Sequence, residues 1–143
     1  MAGFTLRKGE ADVEEWVISS VTAAIGDCLE IVAGDTNAAT VPTASTFGYY
    51  RKGIVMEATT TSDTLVKVQV VNPSQVWEAQ SSANSSTTNN GANFNFADTN
   101  TVTNTHAAED ESGVVQIGVV GAAADKRILV RFTDASGIDP AAS

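Results

Sequence analysis

Hydrophobic and polar positions alternate with a period of two through most of this chain. Val66, Val68 and Val70 are separated by Lys67 and Gln69, and Val115, Ile117 and Val119 by Gln116 and Gly118. Ile128, Val130 and Phe132 share one phase, with Arg127 and Arg131 in the other. Successive side chains of a strand point to opposite faces, so each run predicts a strand with one aliphatic and one polar face. Ile54-Val55-Met56-Glu57-Ala58 precedes the polar turn before Val66, and the two runs predict an antiparallel hairpin. Thr59 to Thr64 has no Asn-Gly or Asp-Gly pair, so the connection is expected to exceed two residues. Pro73 has no N–H to donate and ends that ladder, after which Val76-Trp77-Glu78-Ala79 begins another strand. Glu15 to Val21, Cys28 to Val32 and Lys126 to Thr133 complete the set. A helix from Asp12 to Ala24 competes for the first of these, but Ser19, Ser20, Thr22 and the β-branched residues weaken it.

Seven or eight short strands without a convincing helix predict an all-β fold, an antiparallel β-sandwich or a small β-barrel. The expected division is an N-terminal arm over 1–12, a single β-domain over 13–135 and a polar tail over 136–143. Phe4 and Leu6 are the apolar anchors of the arm, able to dock on a neighbour. Phe47-Gly48-Tyr49-Tyr50 is expected to cover one end of the core. Within 81–112 the chain becomes rich in Ser, Thr and Asn, with Phe94, Phe96 and Val102 almost its only large apolar residues. Asn89-Asn90-Gly91 is a turn signal, and Phe94 and Phe96 alternate as on one strand face. Such a stretch has little area to bury against the entropy of ordering, so it is expected to be either mobile in isolation or held by its neighbours, as an inserted loop lying across a partner surface would be. No internal repeat is apparent.

Charge narrows the choice of partner. A net charge of −9 with scattered Lys and Arg argues against binding a phosphate backbone, so no nucleic acid is expected. No apolar run approaches a membrane span, and residues 1–16 lack the apolar core of a signal peptide, so synthesis and folding in a cytoplasm are expected. Cys28 is alone, which excludes an intrachain disulfide and a cysteine-based metal site. It reads as a small core residue.

Chemistry is sparse. His106 stands beside Glu109, Asp110 and Glu111, without the second and third ligands a metal centre needs. Neither that turn nor Asp98 with Asn100 has the ligand spacing of a calcium loop. There is no Gly-x-Ser-x-Gly elbow and no phosphate-cradling glycine loop before a helix. The acids lie mainly in turns and runs such as Glu14-Glu15, where solvation is their ordinary state. Asn84-Ser85-Ser86 matches a glycosylation sequon that matters only on a secretory route. The expectation is no enzyme, no cofactor and no metal.

Three stretches then carry a likeness. They are Ile25-Gly26-Asp27-Cys28-Leu29-Glu30-Ile31 leading to Gly53-Ile54-Val55-Met56, the passage Val71 to Gln80, and the Ser/Thr/Asn-rich segment leading into Gly113 to Val120. Together they resemble the small decoration (cement) proteins of tailed bacteriophages. The resemblance implies a structural virion protein on the capsid exterior, bridging major capsid subunits and self-associating, as trimers, dimers or monomers. Phe4, Leu6 and Arg7 in the arm, and Phe94 and Phe96 in the loop, are the candidate contact residues. Removing the arm should then abolish capsid occupancy without changing the melt, and removing the two rings should weaken association more than folding. Two other readings are a receptor- or carbohydrate-binding β-module, with Tyr49, Tyr50 and Trp77 as stacking faces, and a tail-tube or head-completion component.

Overall fold

The computed structural model describes residues 3–32, 36–40, 50–106, 113–133 and 135. Among them the chain forms eleven strands and two single-turn 3-10 segments. The strands are β1 (Thr5–Lys8), β2 (Val13–Val17), β3 (Cys28–Ile31), β4 (Ala39–Thr40), β5 (Arg51–Val55) and β6 (Leu65–Val70) in the first half. β7 (Val76–Ser81), β8 (Asn93–Phe96), β9 (Thr101–His106), β10 (Val114–Val120) and β11 (Arg127–Phe132) follow. The all-β expectation holds, including the Ile54/Val66 hairpin, whose strands pair antiparallel through Gly53↔Val70, Ile54↔Gln69 and Val55↔Val68.

Two sheets pack together, and each also curls onto itself. One has the order β1-β7-β11-β10-β8-β9, and β9 returns to β7 as a parallel neighbour through Gln80↔Thr101 and Ser81↔Val102. The five strands β7 to β11 therefore close into a ring. The other sheet runs β2-β6-β5-β3-β4. A parallel bridge between Ile18 and Ala38, with the Ala38 N–H donating to the Val17 carbonyl, returns β4 to β2 and closes this ring too. Alternation decides what fills each ring. Trp16, Leu29, Val55, Val66, Val68 and Val70 form the buried interior of the first. Trp77, Ala79, Phe94, Phe96, Val102, Val114, Ile128, Val130 and Phe132 fill the second.

The two rings repeat one pattern. Strand order β2-β6-β5-β3-β4 maps onto β7-β11-β10-β8-β9 position for position. Loop hydrogen bonds fix the register. Ile18 N–H donates to the Thr64 carbonyl at 3.0 Å, as Ser81 N–H does to Lys126 at 2.7 Å. Gly26 N–H donates to Val55 at 2.9 Å, as Gly91 N–H does to Gln116 at 2.8 Å, and both glycines hold positive φ, +93° and +90°. Asp63 accepts from the Thr60 amide through Oδ2, and Asp125 from the Ala122 amide in the same way, at 2.8 and 3.0 Å. Ile18 and Ser81 thus occupy equivalent places, as do Glu15 and Glu78. The equivalent interior positions share apolar character only in part: Trp16 matches Ala79, Leu29 matches Phe94, and Val55 matches Gln116. That is why the chain reads as having no repeat.

The N-terminal segment is not a free arm. β1 pairs antiparallel with β7 through Thr5↔Glu78 and Leu6↔Trp77. Gly3 N–H donates to the Asn100 carbonyl and Phe4 N–H to that of Gly26, both at 2.9 Å, so residues 3 and 4 tie the second half to the first. The halves also meet directly, Cys28 N–H donating to the Thr99 carbonyl at 2.7 Å. The Ser/Thr/Asn-rich stretch is likewise part of the fold up to His106, since β8 and β9 are two of the five strands of the second ring. Residues 107–112 lie outside the described residues.

Candidate functional site

Four of the five side chains picked out as partner contacts are tied to the chain's own core. Phe94 and Phe96 are 1% and 0% exposed, in the second ring. Gly113 leaves room for them: a Cβ there would collide with the Phe96 ring. Phe4 is 3% exposed and meets Phe96 edge-on at 6.0 Å and Phe132 at 5.2 Å. Leu6 is half-buried against the same cluster. The shared strand phase of Phe94 and Phe96 holds, as β8 turns both rings inward, but the face they occupy is the chain's own core and not a partner surface. Polar neighbours on alternate positions are what a strand with one buried face carries.

This placement reverses the expected effect of truncation. Deleting residues 1–8 should cost about 3–5 kcal/mol of stability through the lost Phe4 packing alone, read as a lower urea midpoint. A truncated chain that unfolds at the full-length midpoint would restore the free-arm reading.

Arg7 does reach the surface, where it joins a small charged network. Its Nη2 lies 2.6 Å from Glu78 Oε1, and Arg127 Nε lies 2.8 Å from Glu78 Oε2. Arg127 also donates to Gln80 Oε1 at 3.3 Å. Partial burial raises the Glu78 carboxyl, but bonds from Arg127 and Arg7 outweigh it and hold the group below its ordinary range. The network joins β1, β7 and β11, so Arg7 anchors β1 rather than standing free. In the first ring, Glu14 accepts from Trp16 Nε1 at 3.0 Å and from Arg51 Nη2 at 3.1 Å, and both bonds hold its carboxyl low. The Arg51 guanidinium lies 5.5 Å from the Trp16 ring centre, within cation–π range.

A third charged group is wholly interior. Glu30 and Lys52 stand opposite each other on β3 and β5 and are 1% and 0% exposed. Lys52 Nζ is 3.8 Å from Glu30 Oε2 and donates to the Tyr50 carbonyl at 2.9 Å. Among the described residues neither Glu30 oxygen accepts a hydrogen bond. Burial pushes the Glu30 carboxyl up to about 7, with Lys52 opposing. Burial likewise raises the neighbouring Cys28 thiol far above its ordinary value, so it stays protonated and inert. Sequence offered no sign of this pair, because Arg51-Lys52 reads as an exposed basic doublet.

Three of the five large apolar side chains exposed among the described residues sit on one sheet face, while Ile25 in the β2–β3 connection and Ile117 on β10 stand apart from them. Val17 and Leu65 are cross-strand partners on β2 and β6, 50% and 51% exposed, and Val13 on the same face of β2 is 48% exposed. Glu15 and Lys67 face each other between them. A pocket beside this face is lined by Glu15, Glu57, Asp63, Leu65 and Lys67. Lys67 Nζ lies 3.7 Å from Glu57, and Asp63 is committed to capping its own turn. Thr59 also lines it, but its hydroxyl donates to the Val21 carbonyl at 2.8 Å and accepts from the Ala23 amide at 3.1 Å, and no serine, cysteine or histidine joins it there. Among the described residues no three His, Cys, Asp or Glu side chains converge as a metal site requires. Asp98 accepts from the Asn100 amide at 3.0 Å, a local turn. The Glu109–Glu111 turn and Tyr49 lie outside the described residues. Trp77 is 0% exposed with its Nε1 donating to Gln75 Oε1 at 3.1 Å, so it has no free face for a sugar. No helix of the described residues is long and apolar enough to cross a membrane.

No protein-family model matches the chain, and no curated protein matches it in sequence.

Proposed function

We propose that this protein is a decoration protein of a tailed-phage capsid, holding to the outer surface of the shell and bridging major capsid subunits. The observation that carries the reading is the exposed apolar face of β2 and β6, where Val13, Val17 and Leu65 stand half in solvent around the facing Glu15 and Lys67. Apolar side chains grouped on one sheet face, with charges among them, are what an adhesive surface presents. The contact residues are accordingly Val13, Val17 and Leu65 in place of the buried rings. Two filled rings leave little room for an enclosed substrate site, while a shell with many equivalent sites lets modest contacts add up across copies.

Sedimentation with purified empty phage shells tests this. Val17→Thr combined with Leu65→Thr, which keeps strand-compatible side chains at these cross-strand partners, should cut occupancy roughly tenfold or more, equivalent to about 1.4 kcal/mol per site. Both side chains are half exposed, so folding stability should move by only about 0.5 kcal/mol each. Unchanged occupancy by a variant that melts like the parent would overturn the assignment of this face. Binding to glycans but not to shells would favour the receptor- or carbohydrate-binding module instead.

A further inference from the structure

The internal repeat exposes one place where the two rings differ in what covers them. In the second ring, the outward edge of β7 at Val76–Glu78 is occupied by β1, through Thr5↔Glu78 and Leu6↔Trp77. The equivalent edge in the first ring is β2 at Val13–Glu15. Its backbone directions follow from the register. Val70 N–H donates to the Asp12 carbonyl and Ile18 N–H to that of Thr64, so the even-numbered residues of β2 bond β6. Val13, Glu15 and Val17 therefore turn their N–H and C=O groups outward. Val17 uses its carbonyl on Ala38. Among the described residues, nothing bonds the outward groups of Val13 and Glu15, and both residues are exposed.

We infer that this edge of β2 is a docking edge for an extended segment of a partner protein, one that pairs antiparallel with Val13–Glu15 and carries a cationic side chain toward Glu15. The chemistry comes from the filled copy. Glu78, the counterpart of Glu15, is met there by Arg7 of the added strand at 2.6 Å. At the open edge Glu15 faces Lys67 across the sheet, but the Lys67 ammonium lies 3.7 Å from Glu57 and, among the described residues, no ion pair holds Glu15, so an incoming strand gains by bringing positive charge to it. Two unsatisfied N–H and C=O pairs provide the ladder, as in recognition by strand addition. The occupant is not the β1 of a second copy. That strand is spent on its own β7, and moving it would draw Phe4 out of the core between the halves.

The inference does not depend on the shell reading, because it concerns a strand edge and not the apolar face, and its test uses no capsid. The probe is a synthetic peptide copying residues 3–10 of this chain, added at millimolar concentration to the isotope-labelled full-length protein. Expected are amide shifts and slowed hydrogen exchange at Val13 and Glu15, with β7 unchanged. A peptide with Glu in place of its arginine should bind roughly tenfold more weakly, as should the full-length Glu15→Lys protein toward the original peptide. N-methylation of alternate peptide amides should remove binding altogether. Three results would overturn the inference: no shifts at Val13 and Glu15, shifts confined to β7 as the peptide displaces β1, or amides of Val13 and Glu15 already protected in the free protein. Concentration-dependent dimerisation that protects the same two amides would also overturn it, since the occupant would then be a second copy.

Discussion

Phe96→Ala is expected to lower the unfolding free energy by about 3–5 kcal/mol, the usual cost of deleting a buried ring from a packed core. The ring is fully buried and meets Phe4 and Phe132 at 6.0 and 6.1 Å, so its loss would open a cavity touching the N-terminal segment as well as the second ring. A domain of this size has a total stability of about 5–15 kcal/mol, so the variant should approach the limit of folding at 37 °C. Chemical denaturation followed by tryptophan fluorescence measures this, since Trp77 lies in the same cluster. A variant with the parental midpoint and reduced assembly would return Phe96 to the surface.

The second large effect concerns the buried charges. At pH values above the Glu30 titration, where its carboxyl is ionised, Lys52→Ala should cost about 3–5 kcal/mol, because it leaves that charge without compensation in the interior. Replacing both partners, Glu30→Leu with Lys52→Met, should be neutral or stabilising by about 1–4 kcal/mol. The desolvation of two ions is then removed together with their attraction. If the double variant were as unstable as Lys52→Ala, the pair would be contributing net stability, and burial would not be the dominant cost.

The same pair sets a pH dependence with a definite sign. Glu30 titrates at about 7 in the folded chain against an ordinary 4.5. Between those values the native state holds a proton that the unfolded state has released. Stability from this group is complete below about 4.5 and falls as pH rises to about 7, by up to about 1.4 kcal/mol per pH unit. Glu14 and Glu78 act in the opposite sense, as their lowered carboxyls support the fold above the ordinary range and lose that support on acidification. The two windows are separate. Between pH 5 and 7, Glu30→Gln should flatten the decline in melting temperature seen in the parent; parallel curves would show that Glu30 does not titrate there.

How far could the sequence carry the reading? Period-two alternation identified β6 and β11 and the hairpin between β5 and β6, because burial of one face is written directly into residue order. It located β10 but with the wrong face inward: Val114 and Gln116 are buried while Ile117 is exposed, because Gln116 Nε2 donates to the Ser86 carbonyl and to Asn90 Oδ1 inside the second ring. It failed where composition spoke louder than phase. Asn93-Phe94-Asn95-Phe96 has two strongly apolar positions in one phase, yet its polar surroundings suggested a loop held by a partner. The N-terminal Phe4 and Leu6 were legible as anchors, but not their target, because β1 pairs with a strand about seventy residues further along. The phase of Trp16 and of Val66, Val68 and Val70 already puts Val17 and Leu65 on the opposite face, but does not say whether another layer covers that face.

Residue order by itself determined the all-β class, the approximate strand positions, the acidic surface charge and the inward phase of most strands, since these depend on local spacing and composition. Tertiary structure alone decided that two equivalent rings exist, that Lys52 and Glu30 are sealed inside, and that one β2 edge stays open while its counterpart is filled. Those properties arise from which distant strands share hydrogen bonds. Ring closure rests on backbone pairings such as Ile18 with Ala38 and Gln80 with Thr101, and a backbone amide is the same group whatever side chain it carries.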